Sequence, residues 1–489
     1  EHTAQLANLN VKPTDDHDKF HAREIKATVK AIFNGENFDE HTRATGVARK
    51  VGIILDKTNH YAEMGGQVGD HGELTVIHDL GKAGGGHFRV EDTQAFGGYI
   101  VHIGHVTRGE MRVGEDVACH VEQGRRSRIA SNHTTTHLLN LALKDTLGDS
   151  IDQRGSLVDP DRLRFDFTHN QGVSPEQLER IESLVQLQIE ADHIVYAEIA
   201  PLENAQKING LRAVFGEAYP DPVRVVSIGA PVSDLLNEPH KEDWAMQSTE
   251  FCGGTHVQST KHAQAFALTG EEGIAKGIRR ISGLTGVAAL AAIEAADMLD
   301  REINALGNLP DMMLTKAVQE ATQRVDQMML PAKRKAQARA AIGSLQERVK
   351  AASKAAAAEK AAEAQRLAQT IAETEAGSPD TMVVARLELG SDRKALESAM
   401  KVITNACPNK AVMLISPDND AGRASVMAAV PKPLIDRGFK AGDWVKAVAG
   451  IMGGKGGGRP DNAQGSGSDL SKLAEATTEA KHFAAKASS

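Results

Sequence analysis

Aromatic residues are scarce in this chain, 4% of 489, so its cores have to be built from Leu, Ile, Val, Ala and Met. Cysteine is scarcer still. Cys119, Cys252 and Cys407 form an odd, sparse set, which excludes a disulfide framework and points to a reducing compartment. No apolar run approaches the roughly 20 residues that a bilayer span needs, and nothing like a signal peptide follows Glu1. The expectation is a cytoplasmic protein, with a further domain missing upstream because the first residue is not Met. An excess of positive charge is also lacking: the formal net charge of −9 argues against a general coat for nucleic acid. Local basic groups remain, at Arg125, Arg126 and Arg128, at Lys276, Arg279 and Arg280, and at Lys333, Arg334 and Lys335. Each reads first as a solvated face. What is present, 41% hydrophobic and 25% charged residues, is the balance of a globular protein, and the length asks for about three folded units.

Short β-type runs fill the stretch from Lys26 to Cys119. Val51–Leu55, Glu73–Ile77, Tyr99–Ile103 and Asp116–Val121 read as strands, punctuated by Gly65-Gly66, Gly84–Gly86 and Gly97-Gly98, which together suggest a small barrel. Ser127 to Leu147 then reads as a helix with Leu138, Leu139, Leu141 and Leu143 on an apolar side and Gly148 as its stop. A second helix is expected over Pro175–Asp192, within an α+β unit that runs to Gly283. From Thr285 to Glu375 the chain is helical and Ala-rich, broken where Gly307 and Pro310 fall. Leu345, Val349, Ala352, Ala356, Leu367 and Ile371 recur at three and four, the seam of a helical hairpin or short coiled coil. The last unit alternates Met382–Leu387, a helix Arg393–Ala406 and a strand Ala411–Ser416, which reads as βαβ and hence α/β. A glycine-rich loop, Gly453–Gly467, precedes a closing helix with Ser468 as its N-cap and Asp469 in the first turn.

His133-Thr-Thr-Thr-His137 lies within the first of these helices. Residues i and i+4 share a face, so both imidazoles reach one ion. Cys252-Gly-Gly-Thr-His256 adds a thiolate and a third imidazole, its two glycines permitting a tight turn. Either motif alone is weak, since helical histidines usually satisfy ordinary hydrogen bonds. Together, in a chain with so few cysteines, they predict one shared Zn2+. Thr134 stands where a zinc protease carries its catalytic glutamate, which excludes that class. Four protein donors close a tetrahedral ion, whereas a catalytic zinc keeps a place for water. The spacing leaves both roles open.

These motifs, followed by Gly273-Ile-Ala-Lys-Gly-Ile-Arg-Arg-Ile281, resemble the editing domain of alanyl-tRNA synthetases. Tyr61-Ala-Glu-Met-Gly-Gly-Gln-Val-Gly-Asp70, Gln153-Arg-Gly-Ser-Leu-Val158 and Arg164-Phe-Asp-Phe167 fit the same pattern. Gly453-Gly-Lys-Gly-Gly-Gly-Arg-Pro-Asp-Asn-Ala-Gln-Gly465 resembles the family's C-terminal domain. The resemblance implies an α+β chain in four parts. These are a junction and β-barrel over 1–120, a zinc-containing editing core over 121–284, a helical hairpin or coiled-coil linker over 285–378, and a C-terminal α/β domain over 379–489. It implies hydrolysis of seryl- and glycyl-tRNA(Ala), with His133, His137, Cys252 and His256 holding one Zn2+. Thr136 would sense the serine hydroxyl, and Gln153 would orient water or the developing oxyanion. Arg279, Arg280, Lys455 and Arg459 would meet tRNA, and the C-terminal region would self-associate. ATP and Mg2+ belong to an aminoacylation domain that the resemblance puts outside this chain, and a mitochondrial form fits the family as well as a cytoplasmic one. The competing class is a non-catalytic module in which zinc only holds a tRNA-binding fold.

Overall fold

A computed structural model describes residues 2–21, 23–45, 48–77, 85–214 and 217–486. The punctuation expected at Gly84–Gly86 begins on a residue outside that set. The chain divides into two compact units, Glu1–Leu309 with Lys316–Gly343, and Pro310–Thr315 with Ser344–Ser489.

Six strands open the first unit: β1 Ile25–Phe33, β2 Val51–Leu55, β3 Gly72–Val76, β4 His87–Phe96, β5 Tyr99–Arg108 and β6 Asp116–Val121. They run β1-β2-β5-β4-β3-β6, and β6 pairs back onto β1, so the sheet closes. Closure removes both edges, which would otherwise be open to pairing with other chains. Val29, Ile32, Ile53, Leu55, Leu74, Phe88, Val90 and Val117 fill the interior at alternate positions. The four expected strands are present; β1 and the charged β4 are additions to the sequence reading.

Helix α1, Gln123–Leu147, follows the barrel directly. It is buried on every side between Ile129 and Asn140, where an amphipathic helix was expected. Leu138, Leu139 and Leu143 pack on Phe165, Phe167, Phe266 and Ile281 of a four-stranded antiparallel sheet. That sheet consists of β7 Gln153–Val158, β8 Leu163–Thr168, β9 Phe266–Ala275 and β10 Ile278–Thr285, in the order β7-β8-β10-β9. Helix α2, Pro175–Glu190, covers the same core; Ser174 caps it and Gln177 reciprocates, a full capping box. A three-stranded sheet, Val195–Ala200, Val223–Ile228 and Ser248–Phe251, ends immediately before Cys252.

The helix α3, Gly286–Leu306, stops at Gly307 as the sequence indicates. Two more follow, α4 Asp311–Gln327 and α5 Ala332–Ala376, the second after a break at Pro331 that the periodicity did not reveal. Within the first unit Arg324 pairs with Glu302, and Arg334 with Asp297 and Asp300. The expected seam needs correcting. Ala356 and Leu367 are exposed, while the buried stripe on α5 is Ala364, Ala368 and Ala372.

In the second unit that stripe packs on one face of a five-stranded sheet together with Leu396, Ala399 and Ile403 of the helix α6, Arg393–Ala406. The interior strand Ala411–Asp418, second in the sheet, sends Val412 and Leu414 to this face and Ala411, Met413 and Ile415 to the other, which explains its unbroken apolarity. Met382–Arg386 lies parallel to it, as the βαβ reading requires, but the remaining three pairings are antiparallel, so the sheet is mixed and not α/β throughout. The stretch expected as a loop is a β-hairpin, β11 Lys455–Gly458 and β12 Asn462–Gly467. Its glycines admit the helix α7, Ala441–Ile451, at close range: a Cβ on Gly456 or Gly465 would lie 2.5 or 2.8 Å from Val445 Cγ1. The closing helix, α8 Leu473–Lys486, is preceded by one turn of 3-10 helix. Asp469, not Ser468, caps that turn, accepting from Ser471 N at 3.1 Å.

Candidate metal centre

His133 and His137 sit one turn apart on α1, and Cys252 and His256 leave the last strand of the three-stranded sheet to meet them. One donor atom from each lies within 4.8 Å of the others. Cys252 Sγ is 3.4 Å from His133 Nε2 and 3.3 Å from His256 Nε2, and the three ring centroids are 4.6 to 5.3 Å apart. Neither glycine of the turn has a positive φ, so their purpose differs from the sequence reading. A Cβ on Gly254 would fall on the His133 ring and 2.9 Å from Gln67 Oε1. Close approach, not turn conformation, requires glycine there.

Each imidazole has a second nitrogen directed away from the sulfur, and each meets an outer partner. His133 Nδ1 is 2.7 Å from Gln67 Oε1, which also accepts from Thr255 N at 2.9 Å, while Gln67 Nε2 donates to Thr255 Oγ1. With the amide fixed as acceptor, His133 carries its proton on Nδ1 and presents a lone pair at Nε2. His256 Nδ1 lies 3.1 Å from Thr134 Oγ1. His137 Nε2 approaches Glu250 Oε2 at 3.6 Å, and its Nδ1 is buried with no hydrogen-bond partner. Burial holds all three imidazoles below their ordinary pKa, those of His133 and His256 far below, so they are neutral and competent as ligands. Burial pushes the Cys252 thiol up to about 12, against the Gly254 N–H and the Arg224 guanidinium, which favour the thiolate. Three neutral imidazoles, one sulfur and one orphaned buried nitrogen make a donor set that fits zinc.

The barrel supplies Gln67 through a loop that turns tightly on Gly65 and Gly66, φ +60° and +83°, with Met64 and Gln67 exchanging backbone hydrogen bonds. Arg125 and Arg126 anchor that loop to the start of α1. Arg125 Nη1 donates to Gly69 O at 2.7 Å, and Arg126 pairs with Asp70 and donates to Asn59 O. Two residues expected as a solvated basic face are therefore buried structural ties. The cluster is closed on the His133 and His137 side and half-open at Cys252 and His256, beside Gly253 and the exposed Met64.

Other predicted residues fall elsewhere. Thr136 is buried and donates to Asn132 O at 2.8 Å, so the threonine that touches the cluster is Thr134. Gln153 opens β7; about 3.3 Å per residue puts it roughly 16 Å along the strand from Val158, the end that bonds to the Gly66–Val68 loop. Arg279 pairs with Glu271 and Arg280 makes a bidentate pair with Asp166, their side chains 22% and 26% exposed. Lys455 and Arg459 are exposed on the hairpin. Sequence reasoning missed Gln67, Glu250, Arg212 and Arg224. Only Gln67 stood in a quoted motif; the rest carried no local signal.

Residues 2–125 match the family model described as tRNA synthetases class II (A), residues 223–282 the threonyl and alanyl tRNA synthetase second additional domain, and residues 380–486 the DHHA1 domain. The chain is 40% identical over 487 residues to a cytoplasmic alanine-tRNA ligase of Dictyostelium discoideum, covering 99% of this chain and 51% of that protein. It is 41% identical over 444 residues to the cytoplasmic ligase of Caenorhabditis elegans, 88% of this chain and 45% of the other. The mitochondrial ligase of Saccharomyces cerevisiae is 37% identical over 476 residues, 97% and 47% of the two chains. The chain thus spans about half the length of the curated relatives it matches. Among solved structures, the C-Ala domain of Aquifex aeolicus alanyl-tRNA synthetase is 22% identical and covers 21% of this chain and 89% of that one, at a TM-score of 0.19, too low to speak to the fold. Among the described residues no helix is long and apolar enough to cross a membrane.

Proposed function

Because this chain belongs to the alanyl-tRNA synthetase family, along the half of those proteins that it spans, we propose that it carries a hydrolytic editing centre that removes serine and glycine from wrongly charged tRNA(Ala). On this reading 1–120 and 121–284 form the editing part, 285–378 the linker, and 379–489 a tRNA-binding and self-associating end. Glycine is smaller than alanine and serine adds only a hydroxyl. A binding pocket rejects such neighbours by roughly 10–200-fold, which leaves a need for a second, hydrolytic sieve.

The observation that carries the reading is the cluster itself: four convergent donors, one side half-open, two of them (Cys252 and His256) in the segment that matches the second additional domain. His133, His137, Cys252 and His256 would hold the ion, and the chemistry it supplies when bound is Lewis-acid polarisation of the ester or capture of the amino group. The protein's own part is placement. Gln67, Thr134 and Glu250 hold the imidazoles, and the helix α1 keeps water from their far side. Thr136 Oγ1 donates its one hydrogen bond to Asn132 O and has only lone pairs left to offer, which suit acceptance from a serine hydroxyl. Lys455 and Arg459 are assigned to tRNA phosphates. For Arg279 and Arg280 to join them, a phosphate would have to displace Glu271 or Asp166.

A second reading keeps weight because four protein donors fill a tetrahedral ion, which is the pattern of a structural site. Release of amino acid from seryl-tRNA(Ala) and alanyl-tRNA(Ala), followed for the chain and for Cys252→Ala, Thr136→Val and Gln153→Ala, separates the two. Loss of serine with alanine spared, and slowed by Cys252→Ala, is the expected result. A folded, zinc-loaded chain that hydrolyses neither would leave a tRNA-binding module.

A further inference from the structure

The three imidazoles of the cluster are not equivalent. His133 and His256 turn Nε2 to the sulfur and Nδ1 to an outer partner, whereas His137 is reversed, with Nε2 toward Glu250 and Nδ1 buried and unpartnered. Glu250 is itself held firmly. Its Oε1 accepts from Asn140 Nδ2 at 2.9 Å and from Arg212 Nε at 3.1 Å, and Arg212 is fixed in turn by Ser248 Oγ at 2.8 Å. Asn140 and the guanidinium of Arg212 both donate to this group, the second as its ion-pair partner, and a carboxylate only accepts. The ring nitrogen nearest to it is therefore the one that carries the proton. Asn140 lies on the same helix as His137, so that helix supplies both a ligand and a brace for the group that orients it.

We infer that Glu250 is a positioning residue that selects the tautomer of His137, so that this imidazole offers Nδ1 to the ion while His133 and His256 offer Nε2. The inference rests on the metal-site reading above and deepens it. The present 3.6 Å separation becomes a hydrogen bond with a shift of about half an ångström. The consequence is an ion site whose geometry depends on a buried arginine–glutamate pair. Outer partners of this kind typically change metal affinity by about 10–100-fold.

The test uses the full chain with 15N-labelled histidine, before and after loading with Zn2+ alone. Long-range proton–nitrogen correlations distinguish a ring protonated on Nδ1 from one protonated on Nε2. Among the three imidazoles that respond to zinc, two should carry the proton on Nδ1 and one on Nε2. Three rings protonated on Nδ1 would overturn the inference while leaving the metal site intact. A chain that takes up no zinc would overturn the site itself. Glu250→Gln offers a choice of donor or acceptor to His137 and should weaken zinc about 10–100-fold against a competing chelator, with the one Nε2-protonated pattern lost. Unchanged affinity and an unchanged pattern in Glu250→Gln would also overturn it. If that variant fails to fold, the labelled parent chain decides the question alone.

Discussion

Gln67 reaches His133 across 66 positions of sequence and Thr255 across 188, so nothing local in the chain announces it. The four donors were legible because i, i+4 spacing on a helix and a Cys-x-x-x-His run are local signatures. Their outer partners were not, because a buried amide or carboxylate looks in sequence like any surface residue. Thr134 is of the same kind: in sequence it is one of three adjacent threonines, and only the fold puts its hydroxyl 3.1 Å from His256 Nδ1, while Thr136 donates to its own helix. Substitution separates them. Gln67→Ala and Thr134→Val are each expected to weaken zinc by about 10–100-fold in a chelator competition. Thr136→Val should leave zinc affinity unchanged and alter the ratio of seryl- to alanyl-tRNA hydrolysis. Another buried histidine serves the barrel. His102 donates from Nδ1 to Ile53 O at 3.0 Å and takes the Thr58 hydroxyl at Nε2, 2.8 Å away, and burial pushes its pKa down to about 4. The unfolded chain, with an ordinary value near 6.5, then binds the extra proton more readily than the folded one. Stability is therefore full above about pH 6.5 and falls as the pH drops toward 4, by about 3 kcal/mol for this group at its limit. Urea unfolding of the barrel at pH 7.5 and pH 5 should show that loss. His102→Asn, which keeps a donor for Ile53 O, should show less of it.

The hairpin β11–β12 teaches why elements with the clearest composition were misread. Five glycines in the six residues from Gly453 to Gly458 look like floppiness, and the usual rules make them a loop. In the fold they are a packing surface, where the absence of side chains lets α7 lie against the strands. The helix Arg393–Ala406 was readable to the residue because its own cap, Asp392 accepting from Ala395 N at 3.0 Å, is local. The α5 seam was misplaced because alanine counts little in a hydrophobic pattern, yet Ala364, Ala368 and Ala372 are what bury. Gly456→Ala would drive a methyl into Val445 and is expected to cost about 1–3 kcal/mol in the second unit's unfolding. Val445→Ala removes the nearest atom, so the double variant should lose less than the sum of the two single losses. The exposed charges on the same hairpin make a separate claim. Lys455→Ala and Arg459→Ala should each weaken tRNA binding and reduce its dependence on salt by about one counterion, with hydrolysis at saturating tRNA unchanged.

At the scale of the whole chain, the four donors proposed for zinc all belong to the first unit, and so does the polar network that ties the barrel to α1. An ion bound only to the folded form stabilises whatever contains its ligands, by about 4 kcal/mol at a thousandfold excess over its dissociation constant. Removing it should therefore act on one unit and spare the other. The chain provides a reporter for each. Trp244 lies half-buried in the first unit, its indole donating to Glu238 O at 2.9 Å with Lys241 4.5 Å from the ring centroid. Trp444 is fully buried in the second, donating to Ala480 O at 2.9 Å. These are the two tryptophans of the sequence, so Trp244→Phe and Trp444→Phe each leave one signal. Chelation is expected to lower the melting temperature reported by Trp244 while the transition reported by Trp444 stays in place, and returning zinc should restore the first. Cys252→Ala should reproduce the chelated profile without chelator. A shift of both transitions together would mean that the two units unfold as one, and that the division by contacts is not a division of stability.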